Sequence, residues 1–412
     1  MKRWLKYIKP YKKYFILGPI CMIVEVIGEV ILPKLLSVII NAGNAGTLTV
    51  GSSMGTMSLM ILTAVMMMAG GVGGSYYGAK ASVNFAADLR EDAFAKVQNY
   101  SFANIDKYST GSLVTRLTND ITQLQNFVNM MLRLALRAPG MLVAALIMAI
   151  IIKPTLSVVF LVTIPLMLLV LTSLIATGFM RFKNLQKKID DLNSTVQENV
   201  TNIRVVKSFV REEHEKTKFE KANVELKNAS LSAMKVMVAM QPIVTLIMNL
   251  TTLAVVWFGG RIVLKGGMEI GDLSAFITYV SQVLISLMMI TMMSMFSSRA
   301  FASARRICEV LDEKVDLQDD NAAFPELEVK NGAIEFRNVS FRYDKKAQSN
   351  VLEHISFSIE PRTTVGIIGS TGCGKSTLVS LISRLYDADK GEVLVDGVNV
   401  KDYSLKNLRQ GV

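Results

Sequence analysis

The chain has few of the residues that build disulfide, metal or secreted scaffolds. Among 412 residues there are three cysteines and two histidines. Cys21, Cys308 and Cys373 are too few and too scattered for a disulfide framework. His214 and His354 supply no metal-ligand cluster and read as surface positions. Charge is also scarce: Asp, Glu, Lys and Arg make up 19% of the chain, where a soluble domain has about 25%. The loop Asn41–Thr56 contains no Lys or Arg at all. No secretory leader is visible either, because the first apolar run is too long and lacks a small-residue cleavage site.

What fills the chain instead is hydrophobic, 51% of residues with 24 Met. Six runs, Tyr14–Ile40, Met57–Tyr77, Leu134–Ile152, Thr155–Phe179, Pro242–Val263 and Leu273–Phe296, are each near or above the ~20 residues that cross a bilayer as a helix. The third carries Arg133 and Arg137 at its inner end. The net charge of +11 is placed as membrane topology requires, so nucleic acid is not the expected partner. Lys2, Arg3, Lys6, Lys9, Lys12 and Lys13 precede the first span, and Arg181 to Lys235 contains a second basic stretch. This positive-inside pattern places the N-terminus and the even-numbered returns in the cytoplasm, with Lys153, Arg261 and Lys265 as minor exceptions on the outer side.

Two returns are too long for plain loops. Lys80–Leu136 and Arg181–Met240 keep a helical period, broken by short turn signals such as Ser109-Thr110-Gly111. Spans two to five are therefore expected to continue as helices outside the membrane, where about 25 extra residues reach about 40 Å. Glu25 and Glu29 lie one turn apart inside span one. Such carboxylates face protein or water, so they either bond to neighbouring helices or contact a cationic substrate. The span-six methionines, Met288, Met289, Met292, Met293 and Met295, read as packing or as an adaptable substrate face. Gly70–Gly74 suits close helix approach.

The texture changes after Phe301. Asp312–Pro325 is polar and acidic, with Asp319-Asp320-Asn321, and reads as a linker. From Ala333, alternation of Ile334, Phe336, Val339, Phe341 and Tyr343 predicts antiparallel strands, followed by a strand Glu392–Val395 and a turn at Asp396-Gly397. Between them lies GSTGCGKS, Gly369–Ser376, which fits the phosphate-binding loop G-x-x-x-x-G-K-[ST]. Val365–Ile368 is predicted as the buried strand leading in and Ser376–Tyr386 as the helix leading out. Backbone N–H groups of Gly369, Ser370, Thr371, Gly372, Cys373, Gly374, Lys375, Ser376 and Thr377 are expected to wrap phosphate, aided by the helix N-terminus. Lys375 would reach the β- and γ-phosphates and the Ser376 hydroxyl would ligate Mg²⁺, so the expected cofactors are ATP and Mg²⁺. A hydrolytic site of this type also needs a second strand ending in an acidic residue and a group that positions water. Neither is found between Ala333 and Val412, so the catalytic residues are expected beyond Val412. The chain alone is expected not to hydrolyse ATP.

Six spans, long cytoplasmic helices, a linker and a P-loop together resemble an ABC exporter half-transporter. DKYSTGSLVTRLTND, Asp106–Asp120, resembles the first intracellular loop of that family, with Gly111, Arg116, Asn119 and Asp120 in its Gly, Arg and Asn-Asp positions. ENVTNIRVVKSFVRE, Glu198–Glu212, resembles the second, and Gly259–Tyr279 looks like the outer turn between spans five and six. Phe341-Arg342-Tyr343 looks like the loop that stacks an aromatic, here Tyr343, on adenine. Gly391–Arg409 resembles the stretch before the glutamine loop, for which Gln410 comes too early. Two departures stand out. Cys373 replaces the usual Ser or Ala, and Arg362 replaces a Gly, so the turn there is expected to avoid a positive φ.

The resemblance implies a membrane all-α six-helix transmembrane domain with long cytoplasmic helix extensions (1–303), a linker (304–332), and a truncated α/β P-loop nucleotide-binding domain (333–412). It implies coupling helices in the two loops, a second half-transporter as homo- or heterodimer partner, the lipid bilayer, a small amphipathic or lipophilic substrate, and a multi-pass location in the plasma (inner) membrane. Readings of another class are a nucleotide-regulated receptor or channel, a catalytically degenerate half of a heterodimer, and an importer permease fused to its ATPase. The fused N-terminal spans and long loops argue against the importer.

Overall fold

A computed structural model describes residues 2–317, 323–345, 347 and 349–412, with side chains at 2, 52, 294 and 295 excluded. Asp319-Asp320-Asn321 of the expected linker, and the side chain of Met295, lie outside the described residues. The chain divides into two compact units, residues 1–84 with 126–298, and residues 85–125 with 299–412.

The first unit is built from α1 (Lys2–Ile8), α2 (Lys12–Asn44), the first part of α3 (Val50–Gln98), the end of α6 (Ile121–Leu134), α7 (Arg137–Ile152), α8 (Pro154–Ser157), α9 (Val159–Thr201), α10 (Ile203–Ser208), α11 (Glu212–Leu264) and the start of α12 (Ile270–Asp312). Among the described residues, six helical segments are long and apolar enough to cross a membrane, and each contains one of the six expected spans. Helices α9 and α11, 43 and 53 residues, run far beyond a membrane thickness and pack along one another. Leu161, Leu169 and Trp257 are exposed on these helices, as suits side chains that face lipid in the membrane segments. The sixth span is the hub: 50% of its apolar window is buried, against 17–28% in the others. Phe276, Tyr279, Val283 and Leu284 enter the core with Phe160, Met167 and Val255.

Polar bonds fix the register of this bundle. The Tyr279 hydroxyl donates to the Val30 carbonyl at 2.7 Å, Gln282 to the Glu29 carbonyl at 2.9 Å, and Lys34 pairs with Asp272 at 2.7 Å. The glycine run acts as a close-approach surface. A Cβ at Gly70 would stand 2.8 Å from the Cys21 carbonyl oxygen, so α2 and α3 touch through backbone there.

The second unit holds a four-stranded antiparallel sheet, order β2-β1-β3-β4, formed by β1 (Ile334–Phe341), β2 (Leu352–Ile359), β3 (Lys390–Val395) and β4 (Val398–Asn399). Phe336 faces Phe357 across the β1–β2 pair, with ring centroids 4.7 Å apart. The β3–β4 turn is at Asp396-Gly397 as expected, with φ of 50° and 81°. Positive φ at both central residues matches the twist of a tight hairpin. Gly391 sits where a Cβ would run into the carbonyls of Arg337 and Asn338, and has φ of 79°. The same unit contains α4 (Phe102–Lys107), α5 (Thr110–Thr115), a five-residue π-helical segment Arg116–Asp120, α13 (Lys375–Ile382) and α14 (Leu405–Gly411).

Three local expectations are corrected. Val365–Ile368 forms no strand: residues 363–370 are exposed, Ile368 to 98%. A buried parallel strand needs hydrogen-bonded neighbours, and the strands of this sheet pair only with one another. The helix after the glycine loop ends at Ile382, not Tyr386, because Arg384 takes φ of 47° with its side chain buried at 6% exposure. Arg362 does adopt a positive φ, 59°. The turn out of β2 keeps its left-handed position, and arginine bears the steric cost there. The helix break read at Ser109-Thr110-Gly111 is present and centres on Tyr108-Ser109, after which Thr110 and Gly111 start α5, with Ser109 capping it by accepting from the Ser112 N–H at 3.2 Å. Helix α12 also runs on to Asp312, and Phe324 bridges to Tyr403, so both ends of the expected linker carry structure.

Candidate functional site

The glycine loop is shaped by two left-handed residues. Gly372 has φ of 87° and Gly374 of 91°, a conformation open to glycine at no steric cost. Gly374 also caps α13, and a Cβ on it would lie 3.3 Å from the Val351 carbonyl oxygen and 2.7 Å from a Leu352 methyl. The loop is thus pressed against the start of β2. Lys375 turns back over it, donating to the Gly369 and Ser370 carbonyls, both at 2.8 Å, with Cys373 Sγ 3.6 Å from its Nζ. Ser376 is exposed and Thr377 buried. The first-turn N–H groups of α13 have no intrahelical acceptor, so the loop presents donors, a helix N-terminus and the Lys375 cation together.

Tyr343 comes to this loop from β1. Its hydroxyl is 2.9 Å from Thr377 Oγ1, and its ring is half exposed. Phe341 and Tyr386 hold it edge-on, with centroids at 5.0 and 5.1 Å. The backbone before it is pinned by Asp389, which accepts from the Arg342 N–H at 3.0 Å. The structure therefore brings Tyr343, Lys375, Ser376 and Thr377 to one loop edge, with the tyrosine half exposed.

Residues that sequence reasoning did not single out complete the surroundings. Tyr386 packs its ring on Phe102 at 6.1 Å and donates to Asp106 of α4 at 2.6 Å. Burial and then the Asp106 bond push its phenol well above the ordinary value. Beside α4, Glu313 gathers Lys107 and Tyr108, both at 2.8 Å, and Asn104 at 3.3 Å. The Lys107 bond, working against burial, leads the effects that hold its carboxyl below the usual range. Asp120 is buried under Ser303 and Arg306, whose Nε donates at 2.7 Å, and Arg116 pairs with Glu309 at 3.1 Å. The Asp120 and Arg116 positions were legible as part of a loop pattern; their partners on α12 were not.

The glycine-loop region and the spanning helices find counterparts in known proteins. The ABC transporter transmembrane region matches residues 15–288, and the ABC transporter family matches residues 352–412. The chain belongs to the ABC transporter family. Its six spans followed by one nucleotide-binding region have the layout of an exporter half-transporter. It is 36% identical to YfiB of Bacillus subtilis, an uncharacterized ABC transporter ATP-binding protein, over all of this chain and 71% of that one. YknU of the same organism is 30% identical over 100% of this chain and 70% of its own length. A protein named ATP-dependent lipid A-core flippase, from Aromatoleum aromaticum, is 28% identical over 100% and 69%.

In the membrane unit, the two carboxylates of span one are paired. Arg137 reaches Glu25 at 3.1 Å and Glu29 at 3.3 Å. That is the neighbouring-helix reading, and it takes up the charge that a cationic substrate would need. Met288, Met289 and Met292 line a cleft of about 440 Å³ with Gln241, Thr245 and Asn249 of α11. His214 and His354 are exposed, as expected.

Proposed function

We propose that the chain is a subunit of an ATP-driven ABC exporter that moves amphipathic or lipophilic compounds out of the cytoplasm. The reading rests on the glycine loop with Tyr343 hydrogen-bonded to the first turn of α13, in a chain whose spans match the family's transmembrane region. Residues 369–377 would hold the ATP phosphates through their N–H groups and Lys375, Ser376 would ligate Mg²⁺, and Tyr343 would stack on adenine. When bound, ATP would supply the phosphoryl group whose transfer to water drives transport and Mg²⁺ would neutralise phosphate charge; the protein's part is to hold them in register. No acidic residue ending a second strand and no water-positioning group is recognised between Ala333 and Val412, so the 412-residue chain by itself is expected to bind but not turn over nucleotide. Hydrolysis belongs to a pair of halves, this chain with a second copy or a related one.

The basic N-terminus and the basic stretch after span four favour an orientation with the nucleotide site in the cytoplasm, in a plasma or inner membrane. The relative named as a lipid A-core flippase supports an amphipathic substrate class. The deciding experiment is Lys375→Ala in both halves of the assembled transporter. ATP-driven transport is expected to vanish while membrane insertion is unchanged, since insertion depends on the spans. Transport at the unmodified rate would refute the assignment.

A further inference from the structure

Within the membrane unit, α2, α3 and the α6–α7 segment enclose a cleft of about 680 Å³. One wall is apolar, with Met67, Met68 and Val72; the other end carries Glu25, Arg133 and Arg137. The charges are not evenly matched in space. Arg137 is engaged by Glu25 and Glu29. Arg133, one helical turn earlier, is exposed and makes no ion pair or hydrogen bond among the described residues. Its stem crosses α3 at Gly78, where a Cβ would stand 3.4 Å from Arg133 Cγ and 3.5 Å from Asn129 Oδ1. Glu25 Oε2 and Asn129 Oδ1 are both buried without a hydrogen-bond partner.

Arg133 is exposed at the inner end of its span, where a long cationic side chain reaches the level of the lipid headgroups and a counter-charge can complete it. Guanidinium prefers a phosphate, which it can grip through two N–H groups. The orphan Glu25 Oε2, which lines the same cleft, asks for a donor. A methionine wall suits a flexible hydrocarbon chain. We propose that this cleft is a binding site for one bilayer glycerophospholipid whose headgroup carries a phosphate for Arg133 and a hydroxyl or ammonium donor for the Glu25 side. One acyl chain lies along Met67, Met68 and Val72. The site is separate from the methionine cleft against α11 and does not depend on the direction of transport.

The test uses the protein purified from nanodiscs that contain equal amounts of phosphatidylglycerol, which has both phosphate and hydroxyl donors, and phosphatidylcholine, which has the phosphate but no donor. Native mass spectrometry without nucleotide counts the retained lipids. The unmodified protein is expected to retain phosphatidylglycerol at least fivefold over phosphatidylcholine. Arg133→Gln should bring that ratio close to one. Met68→Trp, which fills the apolar wall and leaves the arginine in place, should lower retention of both lipids; it carries the test if the arginine variant fails to fold. Arg261→Gln, which sits over Trp257 away from the cleft, should leave the ratio unchanged. A ratio near one in the unmodified protein, or full retention in Arg133→Gln or Met68→Trp, would show loosely held boundary lipid only and overturn the site. Because no nucleotide is present, failure here is distinct from failure of the exporter reading.

Discussion

Tyr386, four residues beyond the end of α13, donates its phenol proton to Asp106 of α4, 280 positions earlier, at 2.6 Å. The same ring stands edge-on to Tyr343, 5.1 Å away, so the aromatic expected over adenine and the helix of the loop between spans two and three share one intermediary. Tyr386→Phe keeps the ring and deletes the bond. A hydrogen bond to a carboxylate contributes about 1.5–3 kcal/mol when enclosed, and Asp106 is exposed, so a loss of about 1 kcal/mol is expected. Thermal unfolding should show a small drop in midpoint, with ATP affinity changed less than twofold. Substrate-stimulated ATPase of the assembled transporter should fall further than basal ATPase. An equal fall in both would mean that the bond contributes stability alone.

Arg362 offers the opposite sign. It sits at φ of 59° after Pro361, with Thr363 Oγ1 donating to the Glu360 carbonyl at 2.7 Å. A non-glycine residue in the left-handed region costs roughly 1–2 kcal/mol, partly offset by about 0.5–1 kcal/mol of extra unfolded-state freedom that glycine brings. Arg362→Gly is therefore expected to stabilise by about 0.5–1 kcal/mol. An unchanged or lower melting temperature would show that the guanidinium makes a contact worth more than the strain.

Asp396 ties the segment before β1 to the β3–β4 turn. Its carboxylate accepts from the Lys330, Asn331 and Ala333 N–H groups at 2.8, 2.9 and 2.9 Å. Burial works against its charge, but these backbone bonds outweigh burial and hold the carboxyl below its ordinary value of 3.8. A depressed folded value means the stabilisation is complete above the unfolded value and fades as pH falls through the folded one. Asp396→Asn keeps the side-chain shape and tolerates the positive φ, so it isolates the charge. At pH 7 it should cost about 1 kcal/mol, kept low because the group is largely solvent-facing. The difference from the unmodified protein should shrink below pH 3.8 in melts run from pH 7 to pH 3. A gap constant with pH would point to shape rather than charge.

The legible and illegible parts of this chain differ in range. The six spans were readable because a bilayer imposes about 20 apolar residues on each, and the glycine loop because its spacing is dictated by phosphate. The Asp396-Gly397 turn was readable from two residues. What escaped depends on partners far away in sequence. Nothing near Arg137 says that it meets Glu25 and Glu29, or near Tyr386 that it meets Asp106. The early end of α13 has a similar cause. Arg384 leaves the helix because its buried side chain bonds Asp387 and the Lys401 carbonyl, at 3.0 and 3.3 Å, an advantage that local apolar spacing does not register. Val365–Ile368 has the composition of a core strand, but a strand exists only with neighbours, and β1 to β4 take one another.

Cys373 gives a chemical handle on the loop. It is exposed, its Sγ lies 3.6 Å from Lys375 Nζ, and a Cβ added at Gly369 would come within 2.6 Å of that sulfur. A group attached there would fill the concavity that the glycines leave for phosphate. Maleimide is therefore expected to label Cys373 and to lower ATP affinity at least tenfold, ATP is expected to protect the thiol, and Cys373→Ser is expected to bind ATP with no maleimide sensitivity. Cys21 contacts Gly73 between α2 and α3, and Cys308 is on α12, so labelling at either should be indifferent to ATP. Peptide mass spectrometry of protein labelled with and without ATP separates the cases. Equal labelling of Cys373 in both would mean that its sulfur lies outside the nucleotide's reach, and would remove residue 373 from the phosphate-binding set while leaving Lys375 to be judged by its own variant.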